Sequence, residues 1–211
     1  MAELHLIEHP VMADNLTALR DERASSDTFR RRLRRIAELL GYEATRDLPL
    51  MERDVSTPVV QAKLPTLAAR KTTVVAILRA GMGMVDGMLD LLPQASVGFL
   101  AMQRDEETLK ATIYYSNLPD DIADSRVFVV DPMLATGGSA IDAVQALKDV
   151  GCKGDAMRFL CVVAAPEGVA AFRAAHPDVE LFAAALDEGL NEHGYIVPGL
   201  GDAGDRVYGT C

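Results

Sequence analysis

Residues Arg126–Ser139 read RVFVVDPMLATGGS, and this stretch decides the fold that we expect. Arg126–Val130 is an apolar, β-branched run, which predicts a strand buried in a sheet. The run ends at a carboxylate, Asp131, and a short loop leads through Gly137–Gly138 into Ile141–Lys148, whose sequence predicts a helix. A strand, an acid, a loop of small residues and a helix form the arrangement that surrounds a phosphate with free backbone N–H groups.

Side chains of this loop suggest what else the site would contact. The hydroxyls of Thr136 and Ser139 add hydrogen-bond donors, and Asp131 can accept from sugar hydroxyls beside the phosphate, so the expected ligand is a sugar phosphate. The simpler alternative is an ordinary strand–loop–helix connection in which the glycines make a tight turn. A P-loop is excluded because no lysine follows Gly137 or Gly138, and the G-x-G-x-x-G of a dinucleotide site is absent from this stretch.

Elsewhere in the chain, strands are predicted to alternate with helices. Further strands are expected at Thr72–Leu78, Ala95–Ala101, Met157–Ala164 and Glu180–Ala184. Helices are expected at about Asp14–Glu22, Asp27–Leu40, Met82–Leu92, Ser139–Val150 and Glu167–His176. This alternation predicts an α/β fold with a mainly parallel sheet, helices on both faces and ligands at the carboxyl ends of the strands. The pattern fails in Gln103–Ser125 and Asp187–Cys211, and such long irregular segments are usually functional or mobile.

Composition narrows the class of protein. The chain has 211 residues, of which 49% are hydrophobic and 25% charged, so we expect one globular domain with a sizeable core. No apolar run approaches the roughly 20 residues of a membrane span, and the start MAELHLIEHP lacks the features of a signal peptide. Three separated cysteines without a C-x-x-C motif suggest a reducing compartment, with Cys161 as a buried apolar residue. The expected location is the cytoplasm.

Charge argues against nucleic acid as a main partner. The formal net charge is −10, so a polyanionic ligand would need local cations, a helix terminus or a bound metal. The only basic cluster is FRRRLRR at Phe29–Arg35, where Phe29, Leu33, Ile36 and Leu40 have helical spacing. We interpret its arginines as the water-facing side of an amphipathic helix or as a contact between subunits.

Several motifs resemble those of one enzyme family. DPMLATGGS, at Asp131–Ser139, resembles the phosphoribosyl-pyrophosphate loop of the type I phosphoribosyltransferases, and Pro132 in place of a second acid resembles the uracil phosphoribosyltransferase branch. GLNEHGYIVPGLGDAGDRVYG, at Gly189–Gly209, resembles the uracil-binding segment of that family. Further similar motifs are YEATRDLP (Tyr42–Pro49), ILRAGMGMVDG (Ile77–Gly87), RDEETL (Arg104–Leu109) and AAPEGVAA (Ala164–Ala171). The resemblance extends from about Phe29 to Gly209.

The resemblance implies a fold, a reaction and partners. It implies the type I phosphoribosyltransferase fold over residues 1–211, with a core at about 70–185 and a small hood formed by about 1–69 and 186–211. The implied reaction converts uracil and 5-phosphoribosyl 1-diphosphate to UMP and diphosphate, with Mg²⁺ as cofactor and the metal ligands left open. It also implies a homo-oligomer and makes GTP a candidate activator, with neither nucleic acid nor membrane as a partner.

Individual residues take roles from the same resemblance. Asp131 and Arg104 would be catalytic, with Arg104 gripping the donor as the segment Gln103–Ser125 closes over it. The donor-binding set would be Arg79, Arg104, Asp131, Pro132, Met133, Leu134, Ala135, Thr136, Gly137, Gly138, Ser139 and Asp202. The uracil-binding set would be Ile196, Gly201, Asp202 and Ala203. In the segment Gln103–Ser125, the family often has a lysine and a proline where this chain has Asn117 and Ala111.

Each assignment has an alternative. The run GMGMVDG, at residues 81–87, follows the strand expected at Thr72–Leu78 and imitates a nicotinamide-binding turn. However, Arg79 lies where such a turn needs a small residue. Arg104 could instead form a surface ion pair with Asp105 or Glu106. The run GLGDAGD, at residues 199–205, could be a turn cluster with a purely structural role. The alternative functions are an RNA-binding regulator on the same fold, which needs a basic surface, and a purine phosphoribosyltransferase, which usually keeps both acids at the position of Asp131 and Pro132.

Overall fold

The computed structural model of the protein describes residues 4–68, 71–104 and 111–210. The strands are β1 Leu4–Leu6, β2 Leu50–Ser56, β3 Gln61–Leu67, β4 Thr72–Leu78, β5 Ser96–Arg104, β6 Ala111–Asn117, β7 Arg126–Val130, β8 Met133–Leu134, β9 Met157–Ala164, β10 Glu180–Leu186, β11 Gly189–Leu190 and β12 Ile196–Val197. The α-helices are α1 Pro10–Arg20, α2 Ser26–Ala44, α3 Met82–Leu91, α4 Gly138–Asp149, α5 Pro166–Ala175 and α6 Ala203–Tyr208. None of the helices within these ranges is both long and apolar enough to span a membrane.

The main sheet has the strand order β1-β10-β9-β7-β4-β5-β6, with the short strand β8 also pairing with β9. All of these pairs are parallel except β5 with β6, which confirms the predicted α/β fold with a mainly parallel sheet. From β4 the chain proceeds outward to β5 and β6, and it then returns to the other side of β4 at β7. The sheet therefore has a switch point between β4 and β7, where open α/β sheets bind ligands.

Helices cover both faces of the sheet because each has one apolar side. On one face, α1, α2 and α3 share a buried core with β4, β7 and β9. In α2 the residues predicted to form the apolar side, Phe29, Leu33, Ile36 and Leu40, are completely buried, which confirms an amphipathic helix. On the opposite face, α4 and α5 pack against β7, β9 and β10. Cys161 is buried in this second core, as expected.

The structure also contains several strands and one α-helix that were not predicted from the sequence. Gln103–Ser125 was expected to be irregular, but it contains β6, which pairs antiparallel with β5. Likewise α6 lies in the segment Asp187–Cys211, after the small hairpin β11–β12. The hairpin β2–β3 and strand β1 were also not predicted.

The N-terminal part of the chain contributes to the main sheet and to its cover. Strand β1 extends the sheet by pairing with β10, and α1 and α2 form a helical layer on it. In the sequence interpretation, residues 1–69 belonged to a hood outside a core at about 70–185. The division into core and hood remains an interpretation, and it has to accommodate these N-terminal contacts with the sheet.

Candidate active site

Arg79 and Asp131 follow directly after β4 and β7, the two parallel strands at the switch point. The strands are in register there, with Ala76 paired to Val130. Both side chains therefore start from the same edge of the sheet. The cleft at this edge is where the fold places a ligand.

The loop after β7 forms a small cleft that ends at the N-terminus of α4. The cleft, lined by Asp131 and residues 133–140, has a volume of about 160 Å³. This is below the roughly 300 Å³ of a site for a drug-sized ligand, so it suits one phosphate-sized group. Gly137 precedes the helix with φ +88°, and its carbonyl accepts from the N–H of Ile141 at 2.9 Å. The first N–H groups of such a helix have no intrahelical acceptor and point toward an anion.

Two residues fix this loop from behind. The carbonyl of Pro132 accepts hydrogen bonds from the N–H groups of Val162 and Val163, at 3.0 and 3.1 Å, which ties the loop to β9. Gly168 of α5 packs so closely that a Cβ on it would lie 2.3 Å from the carbonyl oxygen of Ala135. The glycine is needed because this neighbour is backbone and cannot rotate away. Gly168 lies within the motif AAPEGVAA, but nothing in the local sequence indicates this contact.

Asp131 has an environment that opposes ionisation. Burial raises the pKa of its carboxyl to about 7, and only a long hydrogen bond from the N–H of Met133, at 3.5 Å, acts in the other direction. The residue keeps partial exposure toward the cleft. Behind it, burial raises the pKa of the Cys161 thiol, and the charge of Asp131 raises it further, so this thiol stays protonated. A carboxyl with this pKa changes charge near neutral pH.

The loop that carries Arg79 is packed against the end of β7. A Cβ at Gly81 would lie 2.4 Å from the carbonyl oxygen of Val130, so only glycine allows this approach. The peptide bond between Leu78 and Arg79 is cis. Arg79 Nη2 donates to Asp205 Oδ1 at 3.0 Å, which joins this loop to α6.

The four residues expected to bind uracil lie in β12, in the turn before α6 and at the first residue of α6. Ile196 and Ala203 are buried in the core, so their side chains are hardly exposed to a ligand. Asp202 is exposed, and its Oδ1 caps α6 by accepting from the N–H of Asp205 at 2.9 Å. Gly201 has φ +73°, and the nearest described atom to a Cβ built there is Arg206 Cδ at 3.9 Å. The space beside Gly201 is therefore open.

The donor-binding and base-binding segments meet at α6. A Cβ built on Gly204 would lie 3.2 Å from Asp202 Oδ1 and 3.7 Å from Arg79 Nη2. Arg79 was predicted to bind the donor only, whereas Asp202, from a distant part of the sequence, was predicted to contact both the donor and uracil. The structure brings them within one small region beside the cleft.

Arginines that the sequence analysis left out hold the base segment in place. Arg20 of α1 forms an ion pair with Asp187 and donates to the carbonyl of Gly199 at 2.8 Å. Arg30 of α2 donates to the carbonyl of Val207 at 2.7 Å. Arg206 donates to the carbonyls of Leu200 and Asp21, at 2.9 and 2.6 Å, and its guanidinium lies over the ring of Phe29. Arg30 belongs to the cluster interpreted as water-facing, and no local pattern distinguishes it from its neighbours.

Comparison with known proteins identifies the family. A family model described as uracil phosphoribosyltransferase matches residues 6–210. The chain belongs to the uracil phosphoribosyltransferase family.

Curated relatives and a solved structure agree with this family over the whole chain. Proteins named uracil phosphoribosyltransferase from Lactococcus lactis subsp. cremoris (strain MG1363) and Anoxybacillus flavithermus (strain DSM 21510 / WK1) are 54% and 52% identical to it over 210 residues, covering 100% of each chain. The solved structure of the AQ2163 protein from Aquifex aeolicus is 36% identical, with a TM-score of 0.92 and 98% of both chains covered. The family assignment therefore covers both the phosphate loop and the C-terminal segment.

For Arg104 the structure gives the position of the backbone. It is the last residue of β5 and pairs with Ala111 of β6, while its side chain and residues 105–110 lie outside the described part of the chain. Since β5 is parallel to β4, with Ala101 beside Leu78, the end of β5 points toward the same edge as Arg79. The donor-gripping role of Arg104 remains a prediction.

Among the residues that line the cleft in the described part of the chain, a metal would meet one carboxylate, that of Asp131. Among the described residues, no three His, Cys, Asp or Glu side chains group as a metal site would require. The oxygens of this carboxylate are hard donors. Such a site fits Mg²⁺, which keeps several waters and takes few protein ligands when a phosphorylated substrate supplies the others.

Proposed function

We propose that this protein converts uracil and 5-phosphoribosyl 1-diphosphate to UMP and diphosphate, as a pentosyl-transferring enzyme of pyrimidine salvage. The observation that carries the proposal is the ion pair between Arg79 and Asp205. It joins the loop at the end of β4 to the segment that resembles a uracil site. A donor bound between Asp131 and Arg79 would therefore present its ribose beside the base.

The chain's own groups account for donor binding. The N-terminus of α4, with the hydroxyls of Thr136 and Ser139, holds the 5′-phosphate, and Asp131 accepts from the ribose hydroxyls. Arg79 and Arg104 bind the diphosphate, for which the planar guanidinium is suited. Met133, Leu134, Ala135, Gly137 and Gly138 contribute backbone rather than side-chain groups to this set, whereas Pro132 has no N–H and supports the loop through its carbonyl, which is bonded to β9.

The reaction replaces one bond at the ribose C1′ with another. The bond from C1′ to the diphosphate oxygen breaks with its electron pair leaving on the diphosphate. Uracil N1 bonds to C1′ from the opposite face, and its proton is released to water. Positive charge builds on the ribose ring, so hydrogen bonds from its hydroxyls to the Asp131 carboxylate strengthen as the reaction proceeds. When bound, Mg²⁺ supplies positive charge that offsets the diphosphate, and it would be held by substrate oxygens, water and the carboxylate of Asp131.

Base selection rests on backbone groups around Ile196, Gly201, Asp202 and Ala203. Uracil presents two carbonyl acceptors on either side of an N–H donor, and a glycine-rich turn can supply the complementary pattern without a charged side chain. Cytosine reverses two of these positions and would leave buried polar groups unpaired. Discrimination against cytosine is therefore expected to reach ~10⁴.

The assembly we propose is a homo-oligomer in the cytoplasm, with GTP as a candidate activator. The hairpin β2–β3 supports the first part, since Leu50, Met51, Leu64 and Leu67 on it are exposed. An exposed two-stranded hairpin with apolar side chains is a surface that a second copy could cover. Light scattering of the wild type and of a Leu50→Lys variant tests this: a monomeric wild type would contradict it. Activity with and without GTP tests the activator.

One assay tests the proposed reaction against its alternatives. We expect diphosphate release with uracil and the donor in the presence of Mg²⁺, and at most weak release with cytosine, hypoxanthine or adenine. Activity with a purine in place of uracil would favour a purine phosphoribosyltransferase. RNA binding at physiological salt without release from any base would favour the RNA-binding regulator.

A further inference from the structure

Asp205 contacts both substrate-binding segments through different atoms. Its Oδ1 accepts from Arg79 Nη2 at 3.0 Å, and its backbone N–H donates to Asp202 Oδ1 at 2.9 Å. The same Oδ1 accepts from Thr210 Oγ1 at 2.6 Å. The pKa of Asp205 is held below its usual value mainly by the hydrogen bond from Thr210 and also by that from Arg79, so the carboxylate is charged at neutral pH.

A second contact fixes the main chain of the same arginine. The hydroxyl of Tyr208 donates to the carbonyl oxygen of Arg79 at 3.2 Å, and the guanidinium lies over the Tyr208 ring at 6.0 Å from its centre. Helix α6 thus holds both the backbone and the side chain of Arg79. The contact at Asp205 is a direct hydrogen bond from the guanidinium to a carboxylate.

We infer that Asp205 is a positioning residue that orients Arg79 for the diphosphate of the donor and couples this arginine to the turn at Asp202. The inference rests on the proposed function and adds a residue to it. Asp205 acts through Arg79 and touches neither substrate. This orientation favours donor binding, because a guanidinium that is already held in one direction loses less conformational freedom when it binds phosphate oxygens.

A purely stabilising role fits the geometry poorly. The side chain of Arg79 is 58% exposed and that of Asp205 35%, and exposed ion pairs contribute little to folding. Asp90, which pairs with Arg34 at 2.7 Å and is similarly exposed, forms such a pair away from the cleft. Replacing either aspartate should therefore change the melting temperature little, while only Asp205 should matter for the donor.

The first test compares Asp205→Ala with two control variants. We expect Asp205→Ala to raise the donor KM by about five- to tenfold and the uracil KM less than twofold. Thr210→Val removes the other side-chain donor to Asp205 and leaves Arg79 in place, so both KM values should stay within twofold. Asp90→Asn should do the same. An unchanged or lower donor KM in Asp205→Ala, or an equal rise in both KM values, would overturn the inference.

A double-mutant cycle distinguishes positioning from a separate structural effect. If Asp205 acts through the guanidinium, Asp205→Ala should have almost no further effect on the donor KM in an Arg79→Met background, which has no cation to pair with Asp205. Additive effects would overturn the inference. If Asp205→Ala does not fold, Asp205→Asn replaces it in the cycle, with the same expectations. A wild type that releases no diphosphate would remove the proposed function itself, whereas an active wild type with an insensitive Asp205 removes only this inference.

Discussion

Arg20 and Asp187, 167 positions apart in the chain, form a bidentate ion pair, with Nη1 to Oδ2 at 2.8 Å and Nη2 to Oδ1 at 2.5 Å. Asp187 also accepts from the N–H of Gly199 at 3.0 Å, and Arg20 donates to the carbonyl of the same residue. The Asp187 side chain is 3% exposed. The pair thus joins α1 to the turn that leads into Gly201, and it fixes the base segment from a distant part of the sequence.

Arg20→Met should destabilise the protein by about 3 kcal/mol, because it leaves the Asp187 carboxylate buried without its cation. The uracil KM should rise more than the donor KM, since the loosened turn belongs to the base segment. Urea unfolding and steady-state kinetics measure both effects. Arg23→Met, which removes an exposed arginine paired with Asp21, is the control and should change neither. Equal effects of the two variants would contradict this role for Arg20.

Asp131→Asn should leave the fold intact and lower turnover by ~10²-fold or more, because it weakens hydrogen bonds that strengthen as charge develops on the ribose. Steady-state turnover at saturating uracil and donor measures this, with far-ultraviolet circular dichroism as the check on folding. Wild-type turnover in a folded variant would remove Asp131 from the mechanism.

The raised pKa of Asp131 also predicts how stability depends on pH. The unfolded chain releases this proton near pH 4, whereas the folded protein keeps it until about pH 7, so ionisation of Asp131 costs stability as the pH rises between these values. Asp131→Asn should therefore be more stable than the wild type by about 1–4 kcal/mol at pH 8, and the gain should vanish near pH 4. Thermal unfolding across this range measures it.

The sign of that effect has a matched control. Arg34 holds the pKa of Asp90 below its usual value, so the charge of Asp90 is favoured in the folded state. Asp90→Asn should then be slightly less stable than the wild type at pH 8, opposite in direction to Asp131→Asn. The same sign for both variants would contradict the desolvated environment of Asp131.

The sequence predicted the buried strands well because burial on two faces leaves a continuous apolar run. Thr72–Leu78 and Met157–Ala164 agree with the structure at both ends, and every residue of the second is buried. The hairpin β2–β3 was missed because most of its side chains are exposed and it packs in no sheet core, so its residues show no alternation. Strand β6 was not predicted because it is stabilised by pairing with β5 at the edge of the sheet, and local sequence does not indicate that pairing.

The phosphate loop could be predicted from sequence because its residues are consecutive. The contacts that support it could not, since Gly168 reaches the loop from α5 and Arg20 reaches the base segment from α1. Both depend on how helices pack on the sheet. The pairing of Arg79 with Asp205 has the same origin, because it joins residues 126 positions apart.

Gly168→Ala tests the support of the phosphate loop. The added Cβ overlaps the carbonyl of Ala135, so the loop must shift, and we expect a loss of about 1–3 kcal/mol in stability and a donor KM raised at least about tenfold. Gly154→Ala introduces an overlap with the side chain of Asp178 instead and should leave the donor KM unchanged. Titration with the donor and Mg²⁺ measures affinity directly. Normal donor affinity in a folded Gly168→Ala protein would show that the loop does not depend on this contact.

Gly201 and Gly194 together separate base binding from turn structure. Both have positive φ, +73° and +77°, and within the described part of the chain no atom lies closer than 3.9 Å to a Cβ built on either. Alanine at either position should therefore cost about 1–2 kcal/mol of backbone strain. The free energy of unfolding in urea should fall by the same amount in both variants. Only at Gly201 should the new methyl enter space used by uracil, so Gly201→Ala should raise the uracil KM at least about tenfold and Gly194→Ala less than twofold. If the two variants have equal uracil kinetics, the turn at Gly201 is structural and the base lies elsewhere.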